Sequence, residues 1–200
     1  MNLIERAKNI LLKPKEEWDV ISKEQTSVNQ LVTGYLLILA AVPAIATFIR
    51  YAFFGYSIPF VGHVSASLTW GIRQAVVSYL GMVGGVFLSA FIIDILAPGF
   101  SSEKNYNRAF QLVVFSYTAS FIAGIFNLIP GLSVLSVVGL YGLYLLYIGL
   151  KPMMKTPDEK VTAYFVVSLL VIIGVYLVLS FILGSILLST KAVQVSLPAF

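Results

Sequence analysis

Charged and apolar positions along this chain are segregated into blocks. Leu31 to Ile49, Gln74 to Ile93, Ala109 to Leu150 and Val161 to Thr190 contain no Lys, Arg, Asp or Glu, and the charges collect in the stretches between them. An uncharged apolar run of about 18 residues or more is long enough to cross a bilayer as a helix. The block from Ala109 to Leu150 is too long for one helix at about 1.5 Å per residue across a hydrocarbon core of about 30 Å. Asn127, Pro130 and Gly131 lie near its centre, and these are turn-forming residues, so a tight hairpin there divides it. Five spans result: residues 31–50, with Pro43 expected to bend the helix, then 72–96, 109–128, 132–149 and 161–188. The last is long enough to tilt or to project beyond the lipid. The predicted fold is an all-α integral membrane protein, a bundle of five transmembrane helices. Residues 1–30 form an arm before it and residues 191–200 a tail after it.

The arm has a periodicity of its own. Leu3, Ile4, Ala7, Ile10 and Leu11 recur on one helical face, with Glu5, Arg6, Lys8 and Asn9 on the rest. Pro14 suits the first turn of a second short helix, where Glu16 and Glu17 sit near the positive end and Trp18 and Ile21 share the apolar side. Two places suit such amphipathic helices. One is the membrane interface, with Trp18 at headgroup depth, and the other is the cytoplasmic face of the protein's own bundle. No secretory signal pattern precedes Leu31, so the first span is expected to be retained.

Composition agrees with this architecture. Of the 200 residues 58% are hydrophobic and 11% charged, against roughly a quarter charged in a soluble domain, and the mean hydropathy is +0.91. Charge also orients the chain. Counting Lys and Arg, the arm has five, the loop around residues 94–108 two and Lys151 to Lys160 three, ten in all. The other side has Arg50, Arg73 and Lys191. The positive-inside rule then places the N-terminus in the cytoplasm and the C-terminus outside. The net charge of +4 follows from these loops, which removes the case for a nucleic-acid partner. Cysteine is absent, excluding disulfides and thiolate ligands.

Three stretches carry a family resemblance. In PKEEWDVISKE, Pro14, Trp18, Ile21 and Glu24 match a pre-membrane pattern of a proline, a tryptophan four later, then an aliphatic and a glutamate at three-residue steps. KNYNRAFQLVVFSYTAS, Lys104 to Ser120, is similar to a polar segment leading into a third span. NLIPG, Asn127 to Gly131, precedes a tyrosine-containing fourth span, a basic linker and a fifth span. In this order they resemble a prokaryotic member of the Yip domain family, small multi-span membrane proteins whose eukaryotic relatives interact with Rab-type GTPases. The resemblance implies a cytoplasmic N-terminus followed by five spans. The Asp-Leu-Tyr-Gly-Pro type signature of the eukaryotic branch is missing, as is a long domain before the first span, which speaks against a GTPase partner.

Candidate chemistry is sparse. Asp94 and Arg108 fall at ends of the second and third spans that face the same side; they are read as a structural salt bridge or simple interfacial positions, with coupling of protons or ions as the functional alternative. Arg50 and Arg73 are expected to snorkel at the outer ends of the first two spans, joined by an apolar, aromatic loop over residues 51–71 that lies on the membrane surface or folds over the bundle. His63, the only histidine, lacks companions for a metal or catalytic role. Gly81 with Gly85, and Ser116, Ser120 and Gly124, form small-residue strips suited to close helix packing. Tyr141, Tyr144 and Tyr147 recur every three residues, a stripe that either packs in the interior with satisfied hydroxyls or turns those hydroxyls to a polar cavity shared with Asn127, Ser116, Tyr117 or Tyr164. No metalloprotease, serine-hydrolase or phosphate-loop motif occurs, and no cofactor is expected. The sequence reads as a non-enzymatic scaffold or adaptor of a prokaryotic plasma membrane. Its expected partners are membrane lipids and further copies of itself or other membrane proteins. A small-solute transporter or channel, or a lipid-organising protein, are the alternatives.

Overall fold

A computed structural model describes residues 2–58, 62–129 and 131–189. Two short helices, α1 (Leu3–Leu12) and α2 (Pro14–Lys23), precede five helices long and apolar enough to cross a membrane: Val28–Phe54, Leu68–Phe100, Tyr106–Leu128, Leu132–Met154 and Asp158–Val178, the last continuing as helix to Ser189. The five-span all-α bundle with its preceding amphipathic helices is therefore present. One small exception joins the first two spans, an antiparallel ribbon of β1 (Tyr56–Ile58) and β2 (Gly62–Val64) with Ser57 opposite His63. Pro59, Phe60, Pro130 and the tail 191–200 lie outside the described residues.

Local chemistry sets the helix starts. Asn2 caps α1 by accepting from the N–H groups of Ile4 and Glu5, and Pro14 occupies the first turn of α2. Ser27 and Gln30 form a reciprocal capping box at the first span. Ser67 and Asn105 cap the second and third spans through their side-chain oxygens. The first span passes through π-helical turns at Val32–Leu36 and Arg50–Phe54 and contains Pro43 within its α-helical part. Gly131, at φ 96, supplies the left-handed backbone of the hairpin between the third and fourth spans. Both arms of that hairpin are 3₁₀-helical there, over Gly124–Leu128 and Leu132–Leu140.

The third span is the axis of the bundle. Every residue from Ala109 to Ser116 is buried, and Phe110, Phe115 and Phe121 are among the largest wholly enclosed side chains. Close approach is made possible by small residues: a Cβ on Gly142 would lie 2.7 Å from the carbonyl oxygen of Ser116, and one on Gly139 3.3 Å from the Cα of Ser120. The strip Ser116, Ser120 and Gly124 thus does pack closely, against the fourth span and against Pro43 of the first. In the second span Gly85 seats the ring of Tyr176, whereas Gly81 faces open space. The predicted Gly-x-x-x-Gly step therefore functions at only one of its two positions.

Candidate functional site

Two polar constructions stand out within the bundle. The first fastens the arm to it. Arg6 is buried although it sits on a short amphipathic helix, and its guanidinium donates to Glu17 of α2 and to Glu24 at 2.5 Å each. It also lies over the Phe115 ring, 5.8 Å from the centroid. Arg108, at the start of the third span, donates from Nη1 to the carbonyls of Ile21 and Glu24 at 3.3 and 3.0 Å. Gln111 donates to the Thr26 carbonyl at 2.7 Å. Trp18 is wholly buried, edge-on to Phe115 and packed where Gly149 leaves room for its ring. Tyr141 donates to the Leu11 carbonyl at 3.1 Å. Of the two places open to the arm, it takes the one against its own bundle, while Ile4, Leu12 and Val20 remain exposed.

The second construction is a cavity of about 830 Å³ between the second, third, fourth and fifth spans. Ser116, Tyr117, Ser120 and Asn127 reach it from the third span, Ser133 and Ser136 from the fourth, and Tyr176 from the fifth. Its base is tied by a run of hydroxyls, with Ser89 and Tyr117 3.2 Å apart and Tyr117 and Tyr176 2.9 Å apart. The volume is that of a small-molecule site, and its lining offers uncharged donors and acceptors amid apolar walls.

Several expectations need correction. Arg108 does not pair with Asp94; the carbonyls at the C-terminal end of α2 carry partial negative charge and take the guanidinium instead. Asp94 is buried, with one carboxylate oxygen lacking a hydrogen-bond partner among the described residues. The tyrosine stripe does not line the cavity. Tyr141 holds the arm, Tyr147 meets Thr162 with 3.2 Å between the hydroxyls, and Tyr144 faces outward beside Tyr141. Tyr164 is buried elsewhere, donating to the Ile93 carbonyl at 2.5 Å. Asn127, Ser116 and Tyr117 line this cavity without the stripe they were expected to share it with. Arg50 and Arg73 lie over the rings of Tyr51 and Trp70, and His63 belongs to β2.

Sequence reasoning missed Arg6, Glu17 and Tyr176. Arg6 is four residues from Ile10, and Glu17 four from Ile21, so each shares a helical face with a core residue. That placement was the available signal.

The order of elements, with a docked pre-membrane helix and five spans, is the setting for comparison with known proteins. A model of the Yip1 domain matches residues 8–182. The chain belongs to the Yip1 domain family. The match begins within α1 and ends in the fifth transmembrane helix, so in this chain the Yip1 domain takes in α2 and its contacts with the third and fourth spans. Two curated proteins named "Inner membrane protein YohC", from Escherichia coli strains K12 and O6:H1 (CFT073), are each 26% identical over 119 residues. The aligned region is 58% of this chain and spans 60% of the length of those relatives. No solved structure matches this Yip1 domain protein.

Proposed function

We propose that this Yip1 domain protein is a non-enzymatic scaffold or adaptor of a prokaryotic inner membrane, with its N-terminus in the cytoplasm and its C-terminus outside. The uneven packing of its spans carries this reading. The most apolar stretch of the third span is 72% buried within the chain, whereas those of the fourth and fifth are 22% buried each. Val134, Val137, Leu170 and Leu177 are exposed on these two helices. In lipid such a face is available to another helix, because packing rather than hydrophobicity drives association there. The name of the relatives supports an inner-membrane location, and the bias of ten basic residues to three supports the orientation.

A photoreactive amino acid at Val137 or Leu170, irradiated in native membranes, tests the reading. A discrete adduct with a membrane protein or a second copy is expected. A monomeric, adduct-free protein whose deletion leaves envelope composition unchanged would sink it. The polar cavity favours one second reading, passage of a small uncharged solute. Neither Asp94 nor the Tyr141, Tyr144 and Tyr147 stripe lines that cavity, so such passage would run without them. Solute flux in vesicles, abolished by Asn127→Leu, would promote transport over scaffolding.

A further inference from the structure

On the arm side of the molecule a second concavity of about 800 Å³ lies between α2, the end of the fourth span and the start of the fifth. Three lysines line it, Lys15, Lys151 and Lys155, against two carboxylates, Asp19 and Asp158, a balance of +1. Lys151 meets Asp158 and Lys155 meets Glu103, both at 2.6 Å, but these side chains are largely solvent-exposed, and exposed pairs hold weakly. Lys15 makes no ion pair among the described residues. It stands in the first turn of α2, whose N-terminus has no side-chain cap and so adds partial positive charge.

A second observation is independent of these charges. The ring of Trp18 lines the same groove and is 1% exposed, with its indole N–H enclosed in the wall and without an acceptor among the described residues. A buried tryptophan normally gives that proton to an acceptor. The rest of the lining is apolar or amphipathic, with Tyr147, Ile148 and Val161, and the exposed ring of Tyr144 extends that surface along the fourth span towards its middle. The groove therefore has a cationic end at the end of the spans and an apolar end running into the membrane.

We propose that this groove binds an anionic phospholipid, its phosphate held by Lys15, Lys151 and Lys155 and an acyl chain lying along Tyr147 and Tyr144. The amphiphilic run of the groove selects a lipid over a soluble anion, and the lysine excess selects an anionic over a zwitterionic headgroup. Such a lipid bridges the arm and the last two spans. The assignment does not depend on the scaffold reading, which rests on the exposed outer faces of the fourth and fifth spans and not on this groove.

Native mass spectrometry of the full chain, released from membranes containing equal phosphatidylglycerol and phosphatidylcholine, reads the preference directly. Phosphatidylglycerol is expected to be retained at least fivefold over phosphatidylcholine. That preference should vanish in Lys15→Gln/Lys151→Gln and persist in Lys8→Gln/Lys104→Gln, which removes the same charge from exposed sites elsewhere. In a Trp70→Phe background, which leaves Trp18 as the sole tryptophan, brominated phosphatidylglycerol should quench its fluorescence more than brominated phosphatidylcholine does. Equal retention of the two lipids, an equal loss in both double variants, or displacement of the lipid by millimolar inorganic phosphate would overturn the proposal.

Discussion

At the residue scale, the arm depends on a few buried charges whose partners lie on separate elements. Arg6 is balanced by Glu17 and Glu24, and removing one member of a buried ion pair costs about 3–5 kcal/mol because the remaining charge stays enclosed. Arg6→Met should therefore lower thermal stability in detergent sharply, while Arg6→Met combined with Glu17→Leu and Glu24→Gln recovers much of the loss. Glycines give a cleaner contrast. Gly142→Ala forces a methyl to 2.7 Å from a backbone oxygen and should cost about 1–3 kcal/mol, whereas Gly81→Ala meets nothing within 4 Å and should be neutral in the same melting experiment. In the loop between the second and third spans, hydrogen bonds from Lys155 and Asn105 hold the Glu103 carboxyl below the ordinary glutamate range. A depressed folded-state pKa stabilises above the ordinary glutamate value, and the contribution is lost as pH falls through the lower folded value. Carboxyl carbon chemical shifts titrated with pH should show this depression, and Lys155→Ala should reduce it.

At the scale of elements, the spans and the two helices of the arm are legible in the sequence, and the seat of the arm is not. Each observed span extends beyond its uncharged block at one end or both, from Leu31 back to Val28 and from Gly149 on to Met154, for example. The reason is that helices continue through polar caps and basic ends that the charge criterion excludes. Asp158, Glu159 and Lys160 all lie inside the fifth transmembrane helix. The arm's location could not be read, because Leu3, Ala7, Ile10, Trp18 and Ile21 make the same stripe whether they face lipid or protein. Arg108 was misassigned for a related reason: its partners are backbone carbonyls more than 80 residues away, and no side-chain pattern marks them. Docking has a direct check, helped by the absence of native cysteine. A cysteine replacing Val20, which is 48% exposed, should react with a maleimide in the folded protein, and one replacing Ile10, fully buried, should react only after denaturation.

For the whole molecule, charge counting and helix counting are independent, and the odd number of spans connects them. Reporter fusions after Lys155 and at the C-terminus should signal opposite sides of the membrane, and agreement between them would mean that the fifth helix does not cross. The cavity of the candidate site was partly foreseen. Asn127, Ser116 and Tyr117 were grouped by their polarity within apolar spans, but Ser133, Ser136 and Tyr176 join them only because the fourth span begins as a 3₁₀-helix and Gly85 makes room for a ring from the fifth.

The fastening of the arm also has a bearing on synthesis. Its contacts bridge wide gaps in sequence, 87 residues from Ile21 to Arg108 and 130 from Leu11 to Tyr141. At a translation rate of about 5–20 residues per second, the arm leaves the ribosome several seconds or more before its last partner exists. Until then it is an amphipathic segment without a seat, its five basic side chains matched by five acidic ones, and its burial becomes a signal that the fourth helix has arrived. Nascent chains halted before Gly149 should leave the arm open to protease, and chains halted well beyond it should not.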